Sequence, residues 1–337
     1  MIALKQTLLN GSYSSVRAAG LMPIVRRVLG NRGAILIFHE VHQWPSRELM
    51  TGSDVAFLDH ALAWLKNNGW RIVSFDEALQ CLMQGDGGPR FVALTFDDGY
   101  RDNITCALPI LELHDAPFTV FVPTGAPTRT LYSWWLGLRA LFRMRDTVTI
   151  DAMDRRFDCP NIPSKTAALA KVTQWVHSDL RRSWMLAPTF ATAGISLPAL
   201  NDAYFLDENE LKELARHRLA SIGAHTTSHA ALSILEPTSV KREMSDNRSY
   251  LEQLLEQPIK HLAYPYGGKG ACSSREERIA GEVGFLSAVT SRSAPLTIAH
   301  RSRPLFLPRI GFPAKLTTAG LDGRVSGLHA LLTVHEV

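Results

Sequence analysis

The feature that most constrains the fold of this chain is a series of short apolar runs separated by stretches of helical periodicity. Ala34–Phe38 (AILIF), Phe91–Phe96 (FVALTF) and Phe118–Val122 (FTVFV) are apolar at odd and even positions alike, as strands buried on both faces must be. Between them, residues 54–68 place Val55, Leu58, Leu62 and Leu65 on one helical face, and Phe75–Met83 forms a second helix. Later come a helix near 207–217, strand Leu219–Gly223, a helix over 237–256, strand His261–Tyr264, a helix near 274–283 and strand Phe285–Val289. Pro308 limits Leu305–Leu307 to an edge or terminal strand. This alternation predicts an α/β protein with a parallel sheet. The pattern breaks at about 126–205, where Pro160, Pro163, Pro188 and Pro198 flank a helical segment at 164–186. That stretch reads as a mainly helical insertion or lid.

Polar residues at the strand ends decide between an open sheet and a closed one. His39 follows AILIF, Asp97 and Asp98 end FVALTF, His225 follows ASIGA, and Pro265-Tyr266 follow HLAY. A barrel gathers many strand ends around one mouth, whereas an open sheet concentrates its site at one switch point. The expected fold is therefore a (β/α) barrel of parallel strands. The expected boundaries are an N-terminal helical segment (1–33), the barrel (34–325, with its insertion at about 126–205) and a C-terminal tail (326–337).

Composition narrows the classes. Among 337 residues, 46% are hydrophobic and the 36 Lys and Arg nearly balance the 32 Asp and Glu, so the chain can bury a sizeable core. Its basic residues are scattered and leave no footprint for nucleic acid. The four cysteines stand far apart, with neither a disulfide framework nor CxxC spacing. Residues 13–30 read as an amphipathic helix with Arg17, Arg26 and Arg27 outward. Two outcomes are open for it, a peripheral membrane contact or packing on the domain's own flank. No signal peptide is recognisable, so a cytoplasmic site is expected, including the cytoplasmic face of a membrane.

Three segments carry chemistry. In Thr95-Phe96-Asp97-Asp98-Gly99, two adjacent carboxylates repel unless a cation or proton intervenes, and their side chains diverge toward different roles. A plain turn capped by Asp is the alternative. In His225-Thr-Thr-Ser-His229, imidazoles four apart face one side if the loop makes a helical turn. Asp98, His225 and His229 together offer three ligands and an open position, the pattern of a catalytic metal. In Ala263-Tyr264-Pro265-Tyr266-Gly267-Gly268, a backbone N–H stands free to meet a developing oxyanion, or the segment is a plain turn.

These segments in this order resemble the polysaccharide deacetylases of carbohydrate esterase family 4, the NodB-homology domain, over roughly 34–125 and 205–312. The resemblance implies a distorted seven-stranded (β/α) barrel and metal-dependent hydrolysis of N-acetyl, sometimes O-acetyl, groups on sugars such as N-acetylglucosamine. It makes Asp97 the general base, and Asp98, His225 and His229 the ligands of zinc or another divalent metal. The Tyr266 N–H becomes the oxyanion donor, beside Pro265. Its partner would be an amino-sugar glycan or glycolipid.

Two departures stand out. Many members have Arg where this chain has Ala263, so the Arg that holds the catalytic Asp must come from elsewhere; Arg309 is the candidate, against a plain surface Arg. The late Leu-x-His motif, usual source of the general acid, has no convincing counterpart in His329 or His335. His39 takes that role instead, as in the permuted poly-N-acetylglucosamine deacetylases; a core histidine is the alternative. Tyr132, Trp134, Trp135, Trp175 and Trp184 either wall a glycan groove or form the insertion's own core. Rival functions are deacetylation or deformylation of a lipid-linked sugar, and a carbohydrate-binding pseudoenzyme, against which the intact Asp97, Asp98, His225 and His229 speak.

Overall fold

The computed structural model describes residues 2–43, 49, 52–84, 88–312 and 316–333, with side chains from residue 9 onward. Strand β1 (Asn31–Phe38) runs parallel to β2 (Phe91–Asp97), pairing Gly33–Phe38 with Phe91–Phe96. From β2 the parallel order continues through β3 (Phe118–Val122), β4 (Ala220–Ala224), β5 (His261–Ala263) and β6 (Ser287–Val289). Residues 307–311 close the ring. Leu307 bridges Val289 of β6, and β7 (Ile310–Gly311) pairs with Leu36 and Ile37 of β1, both in parallel. The closing segment is thus internal to the ring, not an edge as Pro308 suggested. Pro308 falls between its two pairings, where a missing N–H costs no ladder bond. Short strands Arg71–Val73 and Leu296–Thr297 extend the sheet at the opposite end, the latter antiparallel.

Residue parity along the strands builds two cores. Ile35, Ala93, Phe121, Ala263, Val289 and Leu307 pack within the ring, plugged at its base by Phe75 and Leu82 from helix Phe75–Gln84. Their neighbours Leu36, Leu94 and Val120 face outward against helices Val55–Asn67, Glu208–Ala215 and Pro237–Leu255. Both faces are therefore covered, as parallel strands require.

The helix expected over 13–30 is two helices, Ile2–Ala18 and Met22–Val28, broken where Gly20 turns left-handed (φ +69°). They pack on the flank: Tyr13 shares a hydrogen bond with His329 (2.6 Å), and Arg26 donates to Asp322 (3.2 Å). Arg26 thus faces the protein; Arg27 stays exposed, with Ile24 and Val28 uncovered beside it. Among the described residues no helix is long and apolar enough to cross a membrane, and all four cysteines are free thiols.

Between β3 and β4 the chain builds helices Trp134–Met144, Ile162–Ser178, Ala187–Ala193 and Leu197–Tyr204 around a core of its own that includes Leu138, Phe142, Val172 and Phe190. It also holds an antiparallel hairpin, Thr147–Ile150 with Arg155–Asp158, unforeseen in a segment expected to be mainly helical. Alternation in Thr-Val-Thr-Ile and a left-handed Asp154 (φ +46°) at the turn make it.

Candidate active site

The carboxyl ends of the strands surround a cavity of about 420 Å³, lined by His39, Asp97, Asp98, His225, His229, Tyr266 and Arg309, with Trp134, Trp135 and His177 from the insertion. A larger groove of about 630 Å³ near Lys212 and Gln257 holds none of these residues.

Asp97 and Asp98 are adjacent yet point to different partners, because Asp98 takes a left-handed backbone conformation (φ +73°). Asp97 continues β2 into the barrel, where Arg309 grips both its oxygens at 2.6 Å, Nη1 to Oδ1 and Nη2 to Oδ2. Arg309 is 1% exposed and also donates from Nε to the Thr290 carbonyl (2.9 Å) and from Nη1 to Thr95 Oγ1 (3.2 Å). The surface-arginine alternative is overturned. Burial alone would raise the Asp97 pKa, but the Arg309 charge and its hydrogen bonds hold it below the ordinary carboxylate range.

Asp98 meets the histidines. Its Oδ1 lies 3.4 Å from His225 Nε2 and 3.2 Å from His229 Nε2, and the atom has no well-formed hydrogen bond. His225 Nδ1 lies 2.7 Å from the Ala263 carbonyl, so it carries the proton and leaves Nε2 as a lone-pair donor. Burial lowers the pKa of His229, favouring its neutral, ligating form. Burial opposes charge on His225 too, but Asp97 and Asp98 outweigh it and raise its pKa, so a cation here competes with a proton. An orphaned buried carboxylate oxygen facing two ring nitrogens fits a divalent ion held by Asp98, His225 and His229.

The histidines converge by a route the spacing did not suggest. Residues 225–229 make a bend, not a helical turn, with Thr226 (φ +66°) and His229 (φ +56°) both left-handed. Helix Pro237–Leu255 fixes the bend: Asn247 Oδ1 accepts from the His225 N–H (2.8 Å), and Glu243 Oε2 from the N–H groups of Thr227 (2.9 Å) and Ser228 (2.8 Å).

Tyr266 is a further left-handed residue (φ +62°). Such conformations strain non-glycine residues, and Asp98, Thr226, His229 and Tyr266 gather at this one mouth. The following Gly267 is obligatory, since a side chain there would run into Ser291. The Tyr266 N–H has no acceptor among the described residues, while its carbonyl accepts from Ser291 Oγ. Pro265 forms the turn itself, its carbonyl accepting from the Gly267 N–H (2.7 Å).

His39 stands exposed at the end of β1, on the cavity wall, so it is no core histidine. His329 is held by Tyr13 and does not line the cavity, and His335 lies outside the described residues. Of the insertion's aromatics, Trp135 lies tilted against His229 (centroids 5.1 Å), Trp134, Tyr132 and Trp175 pack into the insertion's core, and Trp184 is exposed. Wall and core are thus divided among them. Unforeseen from sequence was Arg139, which donates to both oxygens of Glu40 at 2.7 Å. An Arg on the apolar-rich helix Trp134–Met144 was the available signal.

Residues 84–284 match the sequence profile of a family described as polysaccharide deacetylase. A Bacillus subtilis protein, YxkH, whose name provisionally places it among polysaccharide deacetylases, is 22% identical over 250 residues, 72% of this chain. The aligned region spans 62% of that relative's length. Among solved structures, Streptococcus pyogenes deacetylase PplD in complex with acetate superposes with a TM-score of 0.59 at 20% identity, over 87% of this chain and 97% of that one. A de-N-acetylase from Aggregatibacter actinomycetemcomitans gives 0.54 at 13%, over 87% and 99%. At these identities the superpositions speak for the fold, a distorted (β/α) barrel.

Proposed function

Because the chain belongs to the polysaccharide deacetylase family, we propose that it removes N-acetyl groups from an amino-sugar glycan of the N-acetylglucosamine type. The observation that carries this reading is the orphaned Asp98 Oδ1 between two imidazole nitrogens, with a fully held Asp97 beside it. Asp98, His225 and His229 would hold a divalent metal, zinc by its donor set, which when bound polarises the acetamide carbonyl and acidifies water. Asp97, kept ionised and aimed by Arg309, takes the proton of the attacking water as its oxygen bonds to the carbonyl carbon. The Tyr266 N–H donates to the oxyanion that develops there. His39 gives a proton to the nitrogen as the carbon–nitrogen bond breaks, so acetate and a neutral amine leave. Trp135, partly exposed on the cavity wall, offers an aromatic face to the sugar.

A lipid-linked amino sugar is the second reading, favoured by the uncovered Ile24 and Val28 beside Arg27 on the N-terminal flank, a surface suited to peripheral contact with a membrane on its cytoplasmic face. One experiment tests both: amine release from N-acetylglucosamine oligomers and from a polyprenyl-linked N-acetylhexosamine in vesicles, with and without chelator. Release should be chelator-sensitive, and Asp97→Asn should lower it about 10²- to 10⁴-fold while zinc stays bound. Full activity in that variant would remove Asp97 as base; release from the lipid-linked substrate alone would select the second reading.

A further inference from the structure

Arg139 and Glu40 form a second fully buried ion pair at the mouth, 3% and 1% exposed, with Glu40 in the cavity wall next to His39. Such a pair is weak evidence for stability, because desolvating two charges offsets much of their attraction. Its location suggests another use. Glu40 follows His39 directly, and the exposed His39 imidazole takes its position from the backbone that carries it.

That backbone is held residue by residue. The His39 carbonyl accepts from Asn103 Nδ2 (2.9 Å), the Glu40 carbonyl from the Ser53 N–H (3.0 Å), and the Val41 N–H donates to Asp102 Oδ2 (3.0 Å). Gly52 lies so close to the Glu40 carbonyl that a side chain there would collide with it. Arg139 adds the side-chain grip, from an insertion helix 99 residues along the chain. The same helix is pinned over the site by Trp134 Nε1 donating to Tyr266 Oη (2.9 Å) and Trp135 Nε1 to Tyr100 Oη (2.7 Å). One helix thus ties together the loops bearing the candidate acid, the carboxylate pair and the oxyanion donor.

We propose that Arg139 is a positioning residue for His39: its two hydrogen bonds to Glu40 fix the loop so that the imidazole reaches the departing nitrogen. The proposal rests on the reading of His39 as proton donor. An amine leaves only with a proton, whereas a nitrophenolate leaves as the anion, so a misplaced acid should harm amide cleavage and spare an activated ester. A merely structural role would harm both.

The test compares turnover of N-acetylglucosamine oligomers with that of 4-nitrophenyl acetate, using the zinc-loaded full chain. His39→Gln should lose about 10²-fold or more on the amide and stay within a few-fold on the ester. Arg139→Gln should reproduce that split, with at least about a tenfold loss, in kcat more than in KM. Arg139→Lys should fall between, since an ammonium cannot replace a bidentate fork. The double variant Glu40→Gln/Arg139→Gln removes both charges of the pair together and should show the same split even if the single variant folds poorly. Equal losses on both substrates in the Arg139 variants, or none, would overturn the positioning role while leaving His39 in place. Equal losses in His39→Gln would overturn the reading of His39 and the proposal with it.

Discussion

Two clusters of acid and imidazole groups sit at the same barrel mouth: Asp98, His225 and His229 on one side, Glu40, His42 and Asp102 on the other. In each, the potential ligand atoms lie within 4.8 Å of one another. They differ in what already satisfies them. Glu40 is neutralised by Arg139 through two short bonds, and Asp102 accepts from the Val41 N–H and from Asn103 Nδ2. Asp98 keeps an oxygen with no well-formed hydrogen bond, faced by the Nε2 atoms of His225 and His229. Crowding of ligand types is thus a poor marker of a metal centre. Uncompensated charge in a buried setting is the better one, since leaving it unanswered is costly.

The largest expected effect breaks or confirms this contrast directly. Zinc binding measured by equilibrium dialysis should give one ion per chain, and Asp98→Asn should abolish it together with activity. His42→Gln should leave the stoichiometry at one; a zinc ion surviving in Asp98→Asn would place a site at the second cluster. Next comes Arg309→Met. It leaves the buried Asp97 carboxylate without its cation, so stability should fall by about 3–5 kcal/mol in denaturant melts, and activity about 10²- to 10⁴-fold. The sign of the pH dependence follows from the depressed Asp97 pKa: its stabilisation is present above the unfolded carboxylate value, about 3.9, and is lost as pH falls through the folded one. A variant as stable and active as the parent would show the pair to be dispensable.

The smallest effect concerns Asp102. Burial, then the Glu40 charge, push its pKa up to about 8. Folding therefore holds a proton that the unfolded chain releases, so this group's contribution declines as pH rises from about 4 toward 8. Asp102→Asn should flatten that slope and raise the melting temperature most at alkaline pH. An unchanged pH–stability curve would mean that His42, 3.7 Å away, balances the charge.

Much of the barrel was legible because parallel strands buried on both faces must be apolar throughout, and because reactive side chains at their carboxyl ends interrupt that pattern abruptly. Asp97, Asp98, His225 and His229 stand out for this reason. Arg309 could be named but not distinguished from a surface residue, since its burial depends on a ring that closes only in three dimensions. Glu40 left no local trace, and Arg139 only its place on an apolar-rich helix: the pair exists once the insertion folds back over β1. The bend at 225–229 was beyond the spacing, which records which residues are near and not the sign of φ at Thr226 and His229. The hairpin at 147–158 was hidden by its length, four residues to a strand.

Closure of the ring and the cation that holds Asp97 come from the same five residues. Asp97 is synthesised 212 positions before the cation that holds it, and that cation arrives on the segment joining β6 to β1. A chain lacking this segment would leave the buried Asp97 carboxylate without its guanidinium, and burial would then favour the protonated form. Cut within the stretch before Leu307, the two pieces would make a split reporter whose signal is the arrival of one guanidinium.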